Sequence, residues 1–403
     1  MWKVSEHAQE HAPPFRAAVL DIKSMRRQLQ TVSGELMQKN RGVFQVDADM
    51  GLYQEERYFV NSEGSKIYTS DFYYSFLILA KMFDRKNFLV PHHCVWTGRD
   101  PLDMPSYEEM MDKGERAIAE LMEIVTVPVQ PNGSYPAILD YINHGVLWHE
   151  MMGHGLEGHR MEEDEGGDTV SLFDAKIGKR IAPEFLSLYD DPTDRRFFGY
   201  YPYDEEGVIP QRVTLVKNGI LKNYLQSRQS AGYFTKRNRK PIHSNGHARA
   251  ENSEQPVARM GTLIVESSNA VGFDELVENL AREVVDAKKP YGLILMDSDA
   301  GLAMPDESFY NTFPSNVFRV YRDGSRKRVR GVYIVGTPYQ TLSNILQTSD
   351  CCRETTAFCG AESGWVRTAE VVPDVLVRAV DVNRLPNSAY EKRRKAVMPD
   401  RIV

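Results

Sequence analysis

Apolar residues at Val19, Ile22, Met25 and Leu29 keep helical spacing and predict a helix from Phe15 to about Gln38. From Val43 the pattern changes to alternation rich in aromatics, "VFQVDADMGLYQEERYFVNSEGSKIYTSDFYYSFLILAKMF", with a turn at Asn61–Gly64. That predicts an antiparallel meander. "SYEEMMDKGERAIAELMEIV" returns to helical spacing, with Ser106 as N-cap and Glu109 three residues on, as in a capping box. A Pro/Gly-rich link, "VPVQPNGSYP", then leads to a short apolar segment and a histidine-rich stretch.

Beyond it the chain reads as strand-rich. Asn218-Gly219 and Asp323-Gly324 each lie between apolar runs, which is a hairpin signal. "GFDELVENLAREVV" is an isolated amphipathic helix, and "DVLVRAVDVNRL" closes the pattern with alternation. The class this implies is α+β. A smaller α/β N-terminal domain occupies residues 1–130. A larger, mostly antiparallel-β domain occupies residues 131–403 and carries the histidine stretch.

Composition narrows the function classes. The 403 residues are 42% hydrophobic and 26% charged, ordinary for a soluble globular chain. A net charge of −7 argues against a nucleic-acid binder with a broad basic face. The basic run "DGSRKRVR" reads as a solvated hairpin because of its D-G turn. The N-terminus lacks the apolar core of a signal peptide, and no stretch approaches a membrane span. Four cysteines do not make a disulfide framework at this length. The simplest expectation is a cytoplasmic protein with reduced thiols and no nucleic-acid or membrane partner.

The candidate chemistry lies in "HGVLWHEMMGHGLEGHR". His144, His149, His154 and His159 fall five residues apart, so on a regular helix successive ones sit about 140° from each other. They cannot share one face. For His149 and His154 to meet at one metal, the helix must widen or end between them, and Gly153 and Gly155 lower the cost of doing so. Imidazoles are common zinc ligands, and a catalytic zinc takes three protein ligands and leaves one position for water. Glu150, beside His149, is placed to take a proton from that water. The alternative is a helix whose evenly spaced histidines face solvent, which suits His144 and His159 best. A third ligand is left open by spacing: Glu157, His243, His247, Asp297, Asp299 and the cysteines of "SDCCRETTAFCG" are all candidates.

These residues resemble a known family. "HEMMGHGLEGH" is similar to the H-E-x-x-G-H-x-L-E-G signature of the TldD/PmbA metalloproteases, in its catalytic TldD-type form. "DDPTDRRFFGYYPYDEEG" with its following hairpin, "SNGHARAENSEQPVARMG", "RVYRDGSRKRVRGVYIVG" and "FCGAESGWVRTAE" resemble later family motifs in the same order. The resemblance covers Tyr135 to Val382. It implies His149, His154 and Cys359 as metal ligands and Glu150 as the catalytic carboxylate. It implies zinc as the metal, with iron as the second choice from such a donor set. It also implies proteolysis of unfolded or extended peptides, the substrate held as an added β-strand. The segment Ser308–Tyr321 is the candidate edge, unless it is an ordinary core strand. The partner it implies is a second copy of the chain or a TldE/PmbA-like subunit. Departures are the 148 residues before His149, implying a shortened N-terminal domain, His159 in place of an aspartate, and "CGAESG" without the usual lysine and glutamine. Two rival functions are a metal-bearing assembly subunit without turnover and an amide hydrolase acting on a peptide-derived small molecule.

Overall fold

The first helix begins, where it can be seen, with Asp21 accepting a hydrogen bond from the Ser24 N–H and runs Ile22–Lys39. The computed structural model describes residues 21–162, 171–298, 301–304, 309–336 and 338–385, so the predicted start at Phe15 lies outside the described residues. Three antiparallel strands follow, Gln45–Val60, Lys66–Phe83 and Leu89–Gly98; the alternating pattern predicts the first two, and the third lies beyond the stretch it covers. Helix Tyr107–Ile124 carries both halves of the capping box between Ser106 and Glu109. The two helices close over the meander through Val32, Leu36, Phe76, Ile78, Met110, Ile118 and Leu121. Period-two burial along Phe76, Ile78 and Ala80 sets which face of the meander they cover.

The rest of the described chain is built on a 14-stranded mixed sheet, giving an α+β protein. Its organising element is Gly364–Arg384, which pairs on one edge with Ile345–Ala361 in a long hairpin and, further along, with Val332–Gly336, and on its other edge with Thr262–Ser267 and Gly133–Leu139. Most pairs are antiparallel. Gly133–Leu139 runs parallel to Gly292–Met296, as do residues 262–264 to 369–371 and 270–271 to 348–349. Alternation assigns the two faces. Ile138, Ile294 and Leu376 face helix Phe273–Asp286 through Leu276, Leu280 and Val284. Ala137, Leu139, Leu295, Val375 and Val377 face the opposite core, with Leu147 and Trp148 of helix Tyr141–Trp148.

The Asn218-Gly219 turn forms as expected, both residues left-handed with φ of 49° and 74°. The Asp323-Gly324 turn likewise joins Asn316–Val320 to Arg326–Val329. Helix Arg228–Asn238 is not foreseen by the pattern: it buries only Ser230, Ala231 and Phe234, too few apolar positions to mark a helical stripe. Of the two readings of Ser308–Tyr321, a free edge or an ordinary inner strand, the pairing favours the second. Phe309–Thr312 and Asn316–Val320 are each flanked by strands on both sides, and Ser308 lies outside the described residues. Among the described residues, no helix is long and apolar enough to cross a membrane.

The meander packs on the long hairpin. Tyr73 meets Phe198 and Phe358, Asp71 binds both Arg99 and Arg367, and Arg330 binds the nearly buried Asp84. Removing one partner of a buried pair strands the other's charge. Arg330→Met is therefore expected to lower unfolding stability by about 3 kcal/mol, read from the shift of the urea midpoint.

Candidate metal centre

Asp140 starts the helix that carries the histidines, its side chain accepting from the Asn143 N–H at 2.9 Å. Burial pushes the Asp140 carboxyl up to about 6, against the hydrogen bonds from the Asn143 and Asp297 N–H groups that lower it. The α-helix runs to Trp148 and then widens into a π turn over His149–Gly153. The His154 N–H donates to the His149 carbonyl, five residues back, and a short 3-10 turn, His154–Leu156, follows. Of the two ways the five-residue spacing left for these histidines to meet, a widened or an ended helix, the chain adopts the widened turn. Met260 lies close against Gly153: a Cβ there would lie 2.7 Å from Met260 Cε and closer still to its Sδ, so the methionine would have to move.

The π turn brings His149 and His154 together, ring centroids 5.2 Å apart. Cys359, on strand Ile345–Ala361, faces both. Its Sγ lies 3.1 Å from His149 Nε2 and 3.3 Å from His154 Nε2, and all three residues are buried. Each imidazole is held from behind by a carboxylate: His149 Nδ1 by Glu370 at 2.7 Å and His154 Nδ1 by Glu157 at 3.1 Å. Both Nε2 atoms are thereby turned toward the sulfur, the arrangement second partners give to metal-binding histidines.

Electrostatics agree with the geometry. Burial opposes it, but His149 and His154 hold the Cys359 thiol well below its ordinary range. Against the same burial, the Cys359 thiolate and Glu370 raise His149, while Glu157 and the thiolate raise His154 to about 9. A buried thiolate facing two imidazole nitrogens, with the far nitrogens occupied by carboxylates, suits a borderline-soft divalent metal such as zinc. The donor set fits.

A family model for the PmbA/TldA metallopeptidase C-terminal domain matches residues 132–384, more than half of the chain. The chain belongs to the PmbA/TldA metallopeptidase family. It is similar to a metalloprotease of Methanothermobacter thermautotrophicus, 28% identical over 321 residues, covering 79% of this chain and 65% of that one. It is also similar to a zinc metalloprotease TldD homolog of Saccharolobus solfataricus, 26% identical over 252 residues, covering 62% of this chain and 52% of that one. The chain thus spans less than two thirds of the length of the curated relatives it matches. Among solved structures, TldE from Thermococcus kodakarensis shares the fold, with a TM-score of 0.70 at 15% identity over 95% of this chain and 79% of that one.

The other residues singled out by the PmbA/TldA resemblance or by spacing lie as follows. Glu150 sits on the π turn, half-buried, and its carboxylate has no hydrogen-bond or ion-pair partner among the described residues. Glu157 lies behind His154, bound to it and to Arg160 Nε at 2.8 Å, so it supports a histidine and does not join the cluster. His159, one departure from the family pattern, pairs with Glu362. His243 is exposed, His247 is buried against Asp190, and Asp297 binds Asn316. Asp299 lies outside the described residues, and Cys351 and Cys352 are exposed on their strand.

His144 corrects the solvent-facing reading. It is fully buried, its Nδ1–H donating to the Pro373 carbonyl at 2.6 Å and its Nε2 accepting from Trp148 Nε1 at 2.6 Å. The sequence reading missed Glu370 and Arg259. A lone acid between apolar neighbours in "TAEVV" was the available signal for Glu370, and the "PVARMG" stretch holds Arg259.

Burial lowers His144 to about 4, with the Pro373 carbonyl opposing. The unfolded chain, with an imidazole near 6.5, binds a proton that the folded chain refuses. Stability from this group is complete above about pH 6.5 and falls toward pH 4, by about 1.4 kcal/mol per pH unit. His144→Phe is expected to be less stable at pH 7, yet to have a shallower fall in urea midpoint between pH 7 and pH 5 than the wild type.

Proposed function

We propose that the chain is a zinc metallopeptidase that hydrolyses peptide bonds in unfolded or extended peptides. His149, His154 and Cys359 would hold the metal and Glu150 would act as general base. The observation that supports this reading is the meeting of the three buried donors, with Glu150 next to His149 in the chain and without a hydrogen-bond or ion-pair partner among the described residues. A bound divalent metal would supply Lewis acidity to the scissile carbonyl and ease deprotonation of the attacking water. Glu150 takes that proton and returns it to the leaving amine. Glu370 and Glu157 fix the two imidazoles so that neither has to reorganise during turnover.

An extended substrate fits the free edge of Ile345–Ala361. Among the described residues, that strand has Gly364–Arg384 on one side, and on the other only residues 270–271 opposite 348–349. From 350 onward, toward Cys359, its outer main-chain groups have no strand partner, so a peptide adding there would bind through its backbone with little demand on side chains. We further propose assembly with a second copy or a TldE/PmbA-like subunit, a cytoplasmic setting, and division of the chain near residue 130. A purely structural subunit would give no reason for an unengaged carboxylate next to a ligand, which favours catalysis over assembly alone.

Glu150→Gln keeps the three donors and removes the base. It is expected to retain about one metal per chain by elemental analysis while losing on the order of 10²–10⁴ in peptidase rate. Full activity at unchanged metal content would end this assignment.

A further inference from the structure

Arg259 is among the largest fully buried side chains of the protein, with no solvent exposure. It lies just after strand Val257–Ala258, where its N–H donates to the His247 carbonyl at 2.8 Å. That carbonyl belongs to a histidine itself held by Asp190, so the backbone presenting Arg259 is fixed from behind. A guanidinium so placed needs acceptors on every side, because an unpaired buried charge is costly. Nη1 donates to Ser363 Oγ at 2.8 Å and to the Gly364 carbonyl at 3.2 Å. Nη2 donates to the Cys359 carbonyl at 2.8 Å and to Cys359 Sγ at 3.0 Å. Nε faces Glu157 Oε1 at 3.5 Å, and neither of those two atoms has a hydrogen-bond partner of its own.

One side chain therefore touches the sulfur directly and faces the carboxylate that orients His154. The planar fork matters, since a single ammonium could not serve Cys359, Ser363 and Gly364 together. Hydrogen bonds to a metal-bound thiolate are a known lever on its electron donation, and a desolvated cation strengthens that effect.

We propose that Arg259 is a positioning residue of the metal centre: through its bond to Cys359 Sγ and its approach to Glu157, it sets how strongly the sulfur donates to the metal. The proposal rests on the reading of His149, His154 and Cys359 as ligands. A sulfur relieved of the guanidinium gives up electrons more easily. A metal-loaded variant lacking it has a stronger sulfur donor and a weaker Lewis acid.

The test is the absorption spectrum of the full chain loaded with cobalt(II), comparing wild type, Arg259→Met, Arg259→Lys and Arg249→Lys. Arg249 is an equally useful control: it is buried nearby but donates to the Met260 and Arg367 carbonyls, at 2.6 Å each, and not to sulfur. The expected result is a sulfur-to-cobalt charge-transfer band that moves to lower energy in Arg259→Met, less far in Arg259→Lys, and not at all in Arg249→Lys. If the Met variant does not fold, the Lys variant decides. A band unmoved in the folded Arg259 variants overturns the proposal, as does an equal shift in Arg249→Lys. A wild type with no sulfur band would instead remove the three-ligand reading, and this inference with it.

Discussion

The arrangement depends on one backbone hydrogen bond, from the His154 N–H to the carbonyl of His149 five residues earlier. A regular helix would send these imidazoles about 140° apart. The single wide turn removes that separation at the cost of one non-standard turn, and Gly153 makes room by letting Met260 close against the backbone. Everything polar around the site presupposes this turn. Glu370 reaches His149, Glu157 reaches His154, and Cys359 meets both rings only because the rings share one side.

The second constraint is the long hairpin. Cys359, Glu370 and the main-chain groups that receive Arg259 all belong to strands Ile345–Ala361 and Gly364–Arg384, or to the turn between them. Alternation puts Cys359 and Glu370 on the face toward the histidines. It puts Phe358, Arg367 and Ala369 on the face toward the meander. One hairpin thus serves the chemistry on one side and the N-terminal layer on the other. A slip of one residue in its register would exchange the two faces and dismantle both. The same alternation keeps the site's charged groups buried, where ion pairing between thiolate, imidazoles, carboxylates and Arg259 is strong.

Much of this was legible in the sequence for identifiable reasons. The meander, the capped helix after Ser106 and both hairpin turns follow from local pattern, and local pattern survived folding there because the side chains involved pack against near neighbours. That the helix must widen or end if His149 and His154 share a metal followed from their spacing. The identity of the third sulfur donor did not, since Cys359 lies 205 residues beyond His154 and spacing carries no information over that distance; the family resemblance supplied it. Glu370 and Arg259 went unread because their significance lies in what they meet across the sheet. His144 was misjudged because a histidine's surroundings, here Trp148 and the Pro373 carbonyl, cannot be read from helical phase. Helix Arg228–Asn238 escaped because its buried face is short.

The central claim is that two histidines from one π turn and one cysteine from the long hairpin form a single metal site. X-ray absorption at the metal edge of the zinc-loaded protein tests it most directly. The account predicts one sulfur at about 2.3 Å together with nitrogen or oxygen neighbours at about 2.0–2.1 Å, with outer-shell scattering from two imidazoles. A zinc environment made only of nitrogen and oxygen would contradict it, because Cys359 would then stand outside the site that the fold places it in.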